Sequence, residues 1–118
     1  MPHFQTGEVP HGFAFEDDGT LIHYKHTILL AVPRANQSGT WGDLWLLFGS
    51  AWGDVKLGVS TYDGTAWSGV QPWDVPDNGP RTGQKLPAGT EKIAIGRWRK
   101  TQSDRLDDNP VSWLIEYV

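Results

Sequence analysis

Seven tryptophans stand in this chain, at positions 41, 45, 52, 67, 73, 98 and 113. An indole offers a flat apolar face that suits the C–H side of a sugar ring, and nearby carboxylates, amides or guanidinium groups can bond the hydroxyls. Trp52 is followed by Asp54, and Trp73 by Asp74, Asn78 and Arg81. Trp67 has the strand register of an outward-facing residue. Trp52, Asp54, Trp67, Trp73, Asp74, Asn78 and Arg81 therefore form the candidate ligand-binding set, and the chemistry they suggest is recognition of carbohydrate without bond-making.

Other chemistries lack their residues. The chain has no cysteine, which removes thiol nucleophiles, disulfides and Cys-containing zinc sites. Histidines stand at 3, 11, 23 and 26, and His23 and His26 have opposite strand parity, so they diverge instead of gripping one metal. The adjacent acids Asp17-Asp18 and Asp107-Asp108 suit turns, whereas a glycosidase needs two acids facing each other across ~5 to 9.5 Å. There is no Asp-x-Asp-x-Asp run for calcium, no Gly-x-Ser-x-Gly elbow and no glycine-rich phosphate loop. No catalytic residue, metal or cofactor is expected.

Ten basic and fourteen acidic residues give a net charge of −4, which argues against nucleic acid or an anionic membrane surface as the partner. Arg97-Trp98-Arg99-Lys100, the densest basic run, reads as a solvated strand edge. No apolar run approaches the ~20 residues that span a bilayer. The opening MPHFQTGEVPHGF has neither the basic nor the apolar region of a signal peptide, so a cytoplasmic location is expected.

Strands must position the tryptophans, because fourteen glycines, eight prolines and period-two patterning leave no sustained helical signal. Asp18-Gly19 predicts a two-residue hairpin turn pairing Phe15 with Ile22 and Phe13 with Tyr24. The second strand then runs to Val32, with Ile22, Tyr24, His26, Ile28, Leu30 and Val32 inward and His26 a structural histidine. Asp43 to Ser50 places Leu44, Leu46 and Phe48 on one face and Trp45 and Leu47 on the other, so both faces should be covered. Strand 54 to 62 turns Val55, Leu57, Val59 and Thr61 inward. Asp63-Gly64 predicts a hairpin pairing Tyr62 with Thr65, Ser60 with Trp67 and Gly58 with Gly69, while Leu57 meets Val70. Trp67 then lies on the outer face.

Residues 71 to 90 read as a long Pro/Gly-rich loop, of the kind that often carries function. Strands 91 to 98, with Ile93 and Ile95 inward, and 111 to 117, with Val111, Trp113, Ile115 and Tyr117 opposed to Ser112, Leu114 and Glu116, complete seven or eight. Trp45 and Trp113 are expected to fill the core. The fold class that follows is all-β, one domain over 1–118, a two-sheet antiparallel β-sandwich of jelly-roll-like form. A small closed β-barrel is the alternative.

The chain writes Trp-Gly-Asp at 41–43 and again at 52–54. If 43–50 and 54–62 form a hairpin, Trp41 lies near the Asp63-Gly64 turn. Trp52 then lies at the far end with the Trp73 loop. A small non-catalytic lectin using that end is the first functional expectation. The competing reading of Trp73 has it folded over Trp67 and Gly58 as packing. A second expectation is an assembly module, a homo-oligomer burying strand 44–48 and the C-terminal strand, where Trp113 and Leu114 point oppositely. A third is a small barrel enzyme with a pocket of aromatics and His26.

Overall fold

Period-two alternation becomes nine strands in the computed structural model, which describes residues 3–16, 18–21, 24–32, 44–50, 55–75, 82–87, 89–99 and 110–117. They are β1 (His3–Glu8), β2 (Phe13–Phe15), β3 (Ile28–Ala31), β4 (Leu44–Ser50), β5 (Val55–Tyr62), β6 (Gln71–Val75), β7 (Thr82–Lys85), β8 (Lys92–Trp98) and β9 (Val111–Tyr117). Sheet A has the order β1-β9-β4-β7. Sheet B has the order β2-β8-β5-β6, with β3 also paired to β8. Both sheets are open, so the closed-barrel alternative falls and the two-sheet sandwich stands. There is no α-helix among the described residues.

The core is where the inward rows meet. Leu46, Phe48, Val111, Trp113 and Ile115 from sheet A and Leu30, Val55, Leu57, Val59, Ile93 and Ile95 from sheet B are all buried in one cluster. Each such side chain contributes about 1.5–3 kcal/mol by leaving water. This need also corrects the expected β4–β5 hairpin. β4 pairs with β9 and β7, whereas β5 pairs with β8 and β6. In opposite sheets, the rows Leu46/Phe48 and Val55/Leu57 both reach the interior.

Both Asp-Gly turns are longer than the two-residue form. At the first, Gly19 N–H donates to Glu16 O and Glu16 N–H to Thr20 O, both at 2.8 Å, and Gly19 follows the turn at φ +86°. Phe15 therefore bridges to Leu21, not Ile22. At the second, Asp63 Oδ1 accepts from Thr65 N at 2.8 Å and Ala66 N at 2.9 Å, a side-chain bond that organises a four-residue loop. Tyr62 then bridges to Trp67 instead of Thr65, and residues 65 to 70 make that one bridge and no strand.

The expected long strand to Val32 also breaks. Tyr24–His26 is a 3₁₀ turn, and His26 is half-buried beside Gly12, with Nδ1 3.2 Å from the Phe13 carbonyl. The contact to Phe13, thirteen positions back, ties the turn to β2 where a continued strand was expected. From Ile28 on, the expected parity holds: Leu30 and Val32 are buried, and Leu29 is 61% exposed.

Sheet B carries a second layer on its outer face. Gly58 and Gly96 are register partners in β5 and β8, and the Phe15 ring lies close over both. Ala14, Phe15 and Trp98 are buried there, with Val70 packed against them. This corrects the solvated-edge reading at Arg97 and Trp98: β2 pairs in parallel along them and both are buried, while Arg99 is exposed and Lys100 lies outside the described residues. Arg97 is fully buried, and its Nε donates to the Pro10 carbonyl at 2.9 Å.

The turn carboxylates give a pH prediction. Hydrogen bonds from the Thr20 side chain and backbone hold Asp18 below the usual carboxylate range, and backbone N–H groups of Ala66 and Thr65 do the same for Asp63. A lowered folded pKa contributes stability that is complete above the unfolded value and is lost as pH falls through the folded one. The midpoint of thermal unfolding should therefore drop on the acid side of that range. Asp63→Asn keeps an acceptor without a titrating group, so its Tm against pH should fall less steeply than the wild type's.

Candidate functional site

β6 ends sheet B and β7 ends sheet A, and an open groove of about 360 Å³ lies between them. It is lined by Gln71, Pro72, Trp73, Asp74, Gly83 and Gln84. Register sets their directions. Trp73 pairs with buried Leu57 and so turns toward the sandwich interior, where its ring meets Phe48 edge-on at 5.5 Å and 81°. The indole is half-buried, with its inner edge against the core and the rest lining the groove. Asp74, one residue on, pairs with Lys56 and has the opposite parity, so it stands at the groove's rim with its carboxylate toward the outer face of sheet B; it is exposed, as are Gln71 and Gln84.

No family model, curated protein or solved structure matches this chain. The groove must be read from its own residues.

Of the sequence-predicted set, Trp73 and Asp74 come together in the groove. Trp67 is separated from them. It is 45% exposed and packs on Tyr62 with ring centroids 5.2 Å apart. Tyr62 lies opposite in parity to the inward Leu57, so Trp67 and Trp73 occupy opposite faces of sheet B. This sets aside the reading in which Trp73 folds over Trp67 and Gly58; Phe15 and Val70 cover Gly58 instead. The expected Ser60–Trp67 pair is replaced by a bond from Ser60 Oγ to the Ser68 carbonyl at 2.7 Å. Trp52, Asp54, Asn78 and Arg81 lie outside the described residues, as do Trp41 and His23.

Gln71, Gly83 and Gln84 were missed because 71 to 90 read as a loop. The alternation Gln71, Trp73, Val75 against Pro72, Asp74 was the available signal, and Pro72 masked it as a strand breaker. Pro is tolerated here because β6 is an edge strand. β7, with the sequence TGQK, carries no apolar signal at all.

Chemically, the groove offers one aromatic surface, two primary amides and, among the described residues, a single carboxylate. Amides and a carboxylate supply donors and acceptors for hydroxyl groups. Among those residues no second acid faces Asp74 for acid–base work.

Proposed function

We propose that the chain is a jelly-roll carbohydrate-binding domain that takes a saccharide in the groove between β6 and β7. The observation that carries the binding site is the half-buried Trp73 with Gln71 and Gln84 on its side of the two edge strands and Asp74 at the rim. An indole fixed by Phe48 at one edge gives a sugar a stacking surface that costs little ordering, and the polar groups set its orientation. The volume lies near the small end of the ~300–1,000 Å³ common for ligand sites, which suits one or two sugar rings. Pro72 removes a backbone donor from β6 and β7 has four residues, so an added peptide strand would find a poor ladder.

The jelly-roll reading rests on strand order. With β3 as the second strand of the roll, the sheets run β1-β9-β4-β7 and β3-β8-β5-β6, and each of these neighbours is antiparallel. Lectin domains occur on that architecture, and so do unrelated activities, so the site carries the functional argument.

Isothermal titration against a panel of neutral mono- and disaccharides tests the proposal. A dissociation constant on the order of 0.1–1 mM is expected for at least one of them. Gln84→Ala should weaken that binding about fivefold, the usual scale for losing a neutral hydrogen-bond partner. A glycan array without a hit, together with tryptophan fluorescence unmoved by millimolar sugars, would overturn it.

A further inference from the structure

The outer face of sheet A carries a row of side chains whose charges are antisymmetric about one tryptophan. Trp45 on β4 has Glu116 of β9 as its register partner on one side and Lys85 of β7 on the other. Cross-strand partners share a face, so the row reads Phe4, Glu116, Trp45, Lys85 across the four strands, with its two charges on either side of Trp45. Trp45 was expected inside; it is 38% exposed, because Leu46 and Phe48 take the inward positions of β4 and leave Trp45 and Leu47 on the other side. The neighbouring row reads Thr6, Leu114, Leu47, Gly83, with Thr6 exposed, Leu114 and Leu47 half-buried and Leu47 leaning over the bare Gly83 backbone.

We propose that this face pairs with a second copy of the chain about a two-fold axis running along β4. Such an axis carries β7 of one copy over β9 of the other. Lys85 then meets the other copy's Glu116, and Glu116 its Lys85. Trp45 meets its own equivalent on the axis. The uncharged row follows the same operation, laying Leu114 over the low Leu47–Gly83 side. A contact in which one patch is its own complement is what a two-fold dimer requires. Sheets packed face to face keep their strands within about 30° of each other, which an axis along β4 satisfies.

Size sets the strength. Three strands at ~4.8 Å spacing and seven residues at ~3.4 Å rise define a patch of roughly 14 by 24 Å. Standard interfaces bury ~800 Å² per partner, so this contact belongs with weak, reversible dimers. A dissociation constant on the order of 50 µM is expected. The groove between β6 and β7 is not needed for the contact, and saccharide binding and dimer formation stand or fall separately.

Sedimentation velocity of the full chain from 10 to 500 µM tests the pairing. The wild type should pass from monomer to dimer across that range. Lys85→Glu and Glu116→Lys should each raise the dissociation constant at least tenfold. The double variant K85E/E116K restores the antisymmetric row and should return to within about threefold of wild type. Trp45→Ala should leave a monomer throughout. Far-UV circular dichroism and Tm confirm that each variant is folded, and Lys85→Gln with Glu116→Gln serves in place of any that is not. A wild type still monomeric at 500 µM would overturn the proposal, and so would a double variant no better than the singles. Association that persists in Trp45→Ala would also overturn it.

Discussion

Gly96→Ala should lower the midpoint of thermal unfolding by roughly 12 °C, a loss of about 3 kcal/mol. A Cβ at position 96 would stand 2.6 Å from the Ala14 Cβ, 3.1 Å from Phe15 Cε2 and 3.3 Å from Thr27 Cγ2. The first of these atoms is attached directly to a backbone, so no side-chain rotation relieves it. Gly58, across the strand pair, would place its own Cβ 2.7 Å from the same Phe15 ring carbon and 2.8 Å from Val70 Cγ1. Two glycines side by side thus form the floor on which Ala14 and the Phe15 ring rest, and a methyl on either pushes these side chains off the outer face of sheet B and strains the pairing of β2 with β8. Gly69 provides the control: a Cβ there meets only Gln71 Nε2 at 4.0 Å, so Gly69→Ala should change stability by no more than about 0.5 kcal/mol. Ala14→Gly in the Gly96→Ala background removes the closest clash and should return part of the lost stability. Urea melts decide the matter, and a Gly96→Ala variant as stable as Gly69→Ala would show that the layer is not seated on these glycines.

That floor also marks where the sequence ceases to be legible. Period two placed Leu46 and Phe48, Val55, Leu57 and Val59, Ile93 and Ile95, and Val111, Trp113 and Ile115 on inward faces, because a strand half-covered by a second sheet imposes that period locally. Nothing local says which sheet a strand joins. Four residues separate β4 from β5 on the chain, and the two strands still belong to different sheets, a choice made by core burial. The parallel pairing of β2 with β8 joins residues more than eighty positions apart, and the Arg97–Trp98 burial that follows had no trace in a charged run. Turn length was misjudged for a specific reason: Asp63 uses its carboxylate to bond two amides of its own loop, so the Asp-Gly pair opens a four-residue connection. That shift moves Trp67 from Ser60 to Tyr62. In the groove, Trp73 and Asp74 were readable as an aromatic beside an acid, whereas Gln84 arrives from the other sheet and could be known only from the topology.

The opposite placement of Trp67 and Trp73 yields the sharpest test of the proposed saccharide groove. Trp73→Ala should remove measurable binding, with the dissociation constant raised at least thirtyfold, because the stacking surface is lost and the groove floor becomes a hollow above Phe48. It should also cost about 2 kcal/mol of stability, since part of the indole packs on the core. Trp73→Phe separates the two effects: a ring still meets Phe48, most of the stability returns, and binding recovers to within about tenfold of wild type because a smaller aromatic face remains. Trp67→Ala is the matched control on the outer face, where the indole rests on Tyr62 and does not line the groove. It should leave saccharide affinity unchanged within twofold while altering the fluorescence of the free protein. Titrating all three variants with the same sugar gives opposite orders for the two possible sites. If Trp67→Ala abolished binding and Trp73→Ala kept it, the ligand would sit on the outer face of sheet B beside Tyr62, and the edge-strand groove would have to be abandoned.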